Sequence, residues 1–154
     1  MTQNPFILSA EQRLACWKHM REQISLNPDV HEKIDLALTW WKIAPLQNRV
    51  LDWDQPQTWP TPWHMIYQNE YCTSAHSLGI AHTLLLADPE IFSNLRLQLI
   101  WDQAASIQKI VVHTHGYYLN WGHVDKTAQH LLQHMIIQDA WEWHNKQWMS
   151  TRPK

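Results

Sequence analysis

Two cysteines and eleven histidines in a chain of 154 residues are the side chains most able to carry chemistry. Cys72 is the first candidate nucleophile. The apolar spacing after it predicts a helix over 69–87, which puts Cys72 in the first turn. Exposed N–H groups and a partial positive charge at a helix N-terminus lower a thiol's pKa. A nucleophilic cysteine also needs a histidine base and a third group to orient that base. His113 or His115 could serve as base, with Asn120 following them in sequence. The competing reading of Cys72 is a small buried hydrophobe, the usual fate of cysteine.

The histidines also suggest a metal. His113 and His115 are two residues apart on a predicted strand, so they share a face, and His123 follows closely. His130 and His134 are one turn apart on a predicted helix, a spacing that suits chelation. No HExxH or CxxC pattern completes either set, and a structural zinc site normally needs four ligands. No metal or other cofactor is therefore expected. Histidines of this kind serve as half-buried polar or interface residues and can make assembly sensitive to pH. His82-Thr83 and His113-Thr114 fail as phosphoesterase motifs, because the second position after each histidine holds Leu84 or His115 rather than a hydroxyl residue. Three glycines could hardly make a phosphate loop.

Eleven tryptophans are the strongest compositional feature. Trp41 and Trp101 lie on apolar stripes and read as core. Trp53, Trp59 and Trp63 sit among prolines. Trp141 and Trp148 fall on one face of a predicted C-terminal helix turning about 100° per residue, whereas Trp143 points elsewhere. A rigid indole that covers a large area and donates a hydrogen bond suits a protein interface. These six tryptophans are the candidate docking residues.

Elements that must position these groups follow from caps and periodicity. Ser9 and Gln12 form a capping box, followed by Leu14, Trp17, Met20 and Ile24 at helical spacing. Asp29 and Glu32 form a second one, followed by Val30, Ile34, Leu38 and Trp41. The two predict a helical hairpin over 9–45. The prolines of 46–68 predict a loop crossing the core surface. A helix and strands should occupy 69–124, with Leu95, Leu97, Leu99 and Trp101 alternating as a half-buried strand and Lys109–His113 and Tyr117–Trp121 forming a bent strand or hairpin. Asp125 can cap a long C-terminal helix over 125–150. The expected fold is a single α+β domain: the hairpin, a central helix packed on a small antiparallel sheet, and the C-terminal helix.

Two resemblances bear on function. Cys72 on a helix, then Arg96–Trp101, then the segment Ile110-Val111-Val112-His113-Thr114-His115-Gly116-Tyr117-Tyr118-Leu119-Asn120 resemble the core of transglutaminase-like and papain-like cysteine enzymes. That core implies a cysteine at a helix start, a histidine at the start of a following strand and an aspartate on the next. Here Ser106, Ile107 and Gln108 stand where the histidine belongs and Asn120 where the aspartate belongs, which implies a disabled relative more readily than an enzyme. Separately, Asp52-Trp53-Asp54-Gln55-Pro56 and Trp59-Pro60-Thr61-Pro62-Trp63, followed by Leu78-Gly79-Ile80-Ala81-His82-Thr83-Leu84, resemble a family of small tailed-bacteriophage proteins. That likeness implies a role in virion structure, assembly or host takeover.

Charge narrows the partners. Twelve basic against fourteen acidic residues give a net charge of −2, with no basic cluster to hold nucleic acid. The C-terminal segment lacks the basic face of a membrane-surface helix, and no stretch reaches the roughly 18 apolar residues of a membrane span. The N-terminus lacks a secretory pattern, and two distant cysteines suggest reduced thiols. The leading expectation is a non-enzymatic virion structural or assembly protein. It would lie in the virion or host cytoplasm and bind other proteins, or further copies of itself as a homo-oligomer, through its tryptophans. The alternatives are a cysteine hydrolase or transferase using Cys72, and a host-directed inhibitor.

Overall fold

A computed structural model describes residues 4–46 and 51–151. Four helices cover one face of an antiparallel sheet: α1 (Ala10–Leu26), α2 (Val30–Lys42), α3 (Pro62–Gln68) and α4 (Thr73–Ala87). Six strands follow: β1 (Arg96–Asp102), β2 (Ile107–Thr114), β3 (Tyr117–Leu119), β4 (Lys126–Ala128), β5 (Met135–His144) and β6 (Gln147–Ser150). Their order across the sheet is β4-β3-β2-β1-β5-β6, and each neighbouring pair is antiparallel.

Local chemistry fixes the helix starts. Both arms of the Ser9–Gln12 capping box are formed, and the Asp29 carboxylate accepts from the N–H groups of His31 and Glu32. Pro62 occupies the first position of α3, where a missing N–H costs nothing, and the Thr61 hydroxyl caps it. Asn69 ends α3 in the left-handed region at φ 58°. The proline-rich loop expected over 46–68 thus contains a helix, with a single 3-10 turn, Pro56–Thr58, ahead of it. Residues 47–50 of that segment lie outside the described residues.

Helix α4 is buried on nearly all sides and is the centre of the fold. Trp17 of α1 and Trp41 of α2 both donate their indole N–H to the Thr83 hydroxyl, at 3.0 and 2.9 Å. That hydroxyl in turn donates to Gly79 C=O at 2.7 Å, so its bonding capacity is fully used. Buried Arg13 ties α1 to the end of α3 by donating to the carbonyls of Ile66 and Tyr67 at 2.6 and 2.9 Å. Buried Lys33 donates to Ile24 C=O and pairs with Asp88 just past α4.

The sheet has two distinct faces, since side chains alternate along a strand. Leu97, Leu99, Ile110, Val112, Leu119, Trp141 and Trp148 join the helices in the main core. Ile100, Val111 and Tyr118 form a small second core on the far face, with Trp121, Leu132 and Met135 against it.

The C-terminal helix expected over 125–150 is absent, which corrects the fold class at that end. The segment forms β4, β5 and β6 instead, with a 3-10 turn at Gln129–Leu131. Pairing with β1 decides this: Leu97 faces Trp141 and Asp102 faces Met135. A bulge at Gln138, opposite the Leu99/Ile100 step, breaks the alternation that would have marked a strand. Asp125, expected as a helix cap, accepts from Gly122 N–H within a turn.

Candidate active site at the start of α4

Cys72 is the N-cap of α4. Its backbone is extended, and its sulfur accepts from Ala75 N–H at 3.4 Å. The position is set by the α3–α4 turn: Asn69 reverses the chain, and Tyr71 anchors it with a fully buried ring. Cys72 itself is half-buried. It lines a hollow of about 140 Å³ together with Leu51, Asp52, Pro60, Met65 and Glu70. That is smaller than the ~300–1,000 Å³ of a small-molecule pocket and suits one side chain.

Asn120 is brought to the same helix turn. Its amide donates to Thr73 C=O at 2.9 Å and to the Ser77 hydroxyl at 2.8 Å, and its oxygen accepts from Val124 N–H at 2.8 Å. Ser77 passes its own proton to Ile110 C=O on β2 at 2.7 Å. Asn120 therefore sits close to Cys72 but locks β2, β3 and α4 together, with no histidine among its partners.

The two candidate bases are elsewhere. His113 pairs across strands with Tyr118, and their rings are 4.8 Å apart on the far face of the sheet. Its Nε2 lies 2.8 Å from the Gln129 side chain. The sheet thus separates His113 from α4. His115 lies in the turn after β2 with φ 50°, its ring 5.4 Å from Phe92. Phe92 follows the C-terminal end of α4, and Cys72 is at the other end. The structure therefore does not bring Cys72 together with His113 or His115. Gln108, where the resemblance implies a histidine, has the same parity as helix-facing Ile110, but its amide is bonded to Gln138 at 2.7 Å.

His76, one turn after Cys72, escaped the sequence reading. The residue is fully buried among Trp41, Tyr71 and His123, with ring separations of 6.2, 6.0 and 6.0 Å. Its Nε2 is 3.3 Å from Pro45 C=O. A carbonyl only accepts, so Nε2 carries the hydrogen and Nδ1 the lone pair. Burial pulls the His76 pKa down, which the Pro45 contact opposes and nearby His123 reinforces. Burial also raises the Tyr71 phenol.

The metal sets do not assemble. His113 and His115 are on different elements, His123 lies by His76, His130 is exposed in the 3-10 turn, and His134 is exposed just before β5. Among the described residues no group of three or more histidine, cysteine or acidic side chains is placed to hold a metal ion. Both cysteines are free thiols.

Three of the six candidate docking tryptophans are used inside the chain. Trp59 packs against Trp141 at 5.2 Å, and Trp148 pairs across strands with half-buried Trp143. Trp59, Trp141 and Trp148 are buried and offer no free surface. Trp53 is partly exposed, and Trp63 is half-exposed over Trp17. No helix among the described residues is long and apolar enough to cross a membrane.

Comparison with solved structures finds a similar fold at low sequence identity. Solved structures of similar fold include Legionella pneumophila LapG. One aligns with a TM-score of 0.66 at 10% identity, covering 91% of this chain and 77% of LapG. An EGTA-treated form gives 0.65 at 11% identity over 85% and 73%, and a calcium-bound form gives 0.64 at 11% over 86% and 83%. No known family profile and no curated protein matches the chain, and no phage family is shown.

Proposed function

We propose that the chain is a cysteine hydrolase of transglutaminase-like type, which opens an amide bond through a thioester on Cys72. The observation that carries this reading is the position of Cys72. It is a half-exposed thiol at the N-cap of the buried central helix, beside a hollow sized for one side chain, on a fold like that of LapG. First-turn N–H groups of such a helix have no intrahelical partner and favour a thiolate or an oxyanion. The virion-component reading draws no comparable support from fold or comparisons.

The test uses Cys16 as an internal reference, since it is also free and half-buried. The protein is treated with limiting iodoacetamide near pH 7, and labelling is located by peptide mass. A peptide library is then screened for cleavage by the wild type and by Cys72→Ser. Preferential labelling of Cys72, with cleavage lost in Cys72→Ser, supports the reading. Labelling of Cys72 no faster than Cys16, without cleavage, overturns it. That second result would favour a fold retained without catalysis, for which the full engagement of Asn120 in structural hydrogen bonds already speaks.

A further inference from the structure

We propose that the chain pairs with a second copy of itself, the exposed Asp52-Trp53-Asp54 turn of each protomer seating on Trp63, Tyr67 and Arg21 of the other. The inference is independent of the cysteine-hydrolase reading.

The receiving surface comes first. Trp63 and Tyr67 are four apart on α3, so they share one face of that helix. They are 52% and 56% exposed. Trp63 meets the ring of Trp17 on α1 edge-to-face at 6.3 Å, and the Arg21 guanidinium lies over that same ring at 4.2 Å. Trp17 itself is buried beneath them.

Arg21 sets the chemistry of the partner. Its Nε–H is buried and has no acceptor, and no carboxylate among the described residues forms an ion pair with it. Burial lowers its pKa, against the charge of neighbouring Glu22. A guanidinium stacked on an indole still presents a fork of donors, and the acceptor that matches it is a carboxylate. Tryptophan, tyrosine and arginine together are the side chains that dominate protein interfaces. The occupant should therefore carry a carboxylate beside a large apolar side chain.

The chain itself supplies such a segment. Asp52, Trp53 and Asp54 are all exposed. The two carboxyl groups crowd each other: the Asp54 side chain first, then burial and the Asp54 charge, raise the Asp52 pKa, while Asp54 N–H opposes them. A cation brought from outside relieves such crowding. The Trp59 indole pins the turn by donating to Asp52 C=O at 2.7 Å. Asp52 lines the same hollow as Pro60 and Met65, so the turn lies beside α3. Two complementary patches near each other on one protomer suit a two-fold pairing, in which every contact is made twice.

Area sets the strength. Trp53, Trp63 and Tyr67 together expose on the order of 350 Å² per protomer. A stable interface takes about 800 Å² per partner. The expected dimer is therefore weak and concentration-dependent, with a dissociation constant in the micromolar range.

Sedimentation equilibrium over about 5–500 μM measures the association. Wild type should approach twice the monomer mass, with a dissociation constant raised about tenfold or more in Trp53→Ala and in Asp54→Arg. Asp54→Arg sets like charges against Arg21, and Arg21→Glu sets like charges against Asp54, so each variant alone repels its own copies. Mixing the two restores opposite charges at both contacts, and the dimer should return. Circular dichroism verifies the fold of each variant. Should Arg21→Glu fail to fold, Arg21→Gln replaces it and must weaken the dimer. A wild type that stays monomeric throughout, or a dimer indifferent to Trp53→Ala and Asp54→Arg, overturns the proposal. Weakening without recovery on mixing folded variants overturns the pairing of Arg21 with the turn.

Discussion

Trp148 Nε1 donates to His82 Nε2 at 3.3 Å inside the core, joining the last strand to the central helix across 66 residues of sequence. His82 is almost fully buried, and its ring meets the edges of Trp143 and Trp148 at 4.9 and 5.5 Å. An indole N–H can only donate, so the bond requires neutral His82 with a lone pair on Nε2. Burial pulls its pKa down to about 3.

Stability should therefore depend on pH in a defined window. The unfolded chain protonates His82 near the ordinary value of 6.5, whereas the folded chain resists down to about 3. Between these values the unfolded state binds the extra proton, so its share of stability is complete above about 6.5 and is lost as pH falls. The slope is at most about 1.4 kcal/mol per pH unit. Urea midpoints at pH 7, 5.5 and 4.5 in wild type and His82→Phe measure it. Equal slopes in the two proteins would rule out His82 as the cause.

Gly79 lets α2 approach α4. A Cβ at this position would fall 2.3 Å from two ring carbons of Trp41. That indole is buried and tied to Thr83, so it has little room to give. Gly79→Ala gains about 1 kcal/mol of helix propensity. The overpacking it forces costs typically 1–3 kcal/mol and occasionally more. The expected net result is a lower denaturant midpoint at unchanged m-value, opposite in sign to Gly→Ala in an open helix.

Most of the N-terminal half was legible in sequence because its signals are local. Capping residues at Ser9 and Asp29 act within three positions, and the alternation of Leu95 to Trp101 needs no knowledge of partners. The C-terminal half depends on distant pairing. Trp141 and Trp143 lie on the same side of β5, but the bulge at Gln138 and the helix-forming Gln, Ala, Glu and Met residues gave the segment a helical appearance. The start of α3 was hidden for a related reason: Thr61-Pro62 is a helix start, yet it lies among prolines that signal a loop. At the site, Cys72 and its helix end were readable. The face on which His113 falls follows only from the β2–β3 register.

Cys72 has two roles that substitution can separate. As N-cap it accepts from Ala75 N–H through sulfur, a weak acceptor. Serine is among the preferred residues at that position, so Cys72→Ser should fold with a melting temperature equal to or above wild type. Cys72→Ala removes the cap and should be less stable than Cys72→Ser by about 0.5–2 kcal/mol. Thermal unfolding of the two variants checks the order. A Cys72→Ser protein less stable than Cys72→Ala would show that the sulfur contributes by packing rather than by capping.

Asn120 offers a sharp test of a structural hydrogen-bond lock. It stands where the transglutaminase-like pattern implies an aspartate, yet its amide supplies two hydrogen bonds a carboxylate cannot make, to Thr73 C=O and the Ser77 hydroxyl. Ser77 already gives its proton to Ile110 C=O. In Asn120→Asp, a buried carboxylate would face oxygen acceptors, at a cost of about 1–3 kcal/mol for the groups left unpaired, and more for the charge. The folded-state pKa of that aspartate would rise above its unfolded value of about 3.9. The deficit should then be full above the raised folded pKa and shrink as pH falls through it, because the protonated acid regains one donor. Chemical denaturation of wild type and Asn120→Asp between pH 4 and 8 gives the difference directly. A gap that narrows toward pH 4 identifies Asn120 as a structural lock built on its amide. If the variant matches wild type throughout, the position tolerates a carboxylate and remains open to the role of aspartate in an active triad.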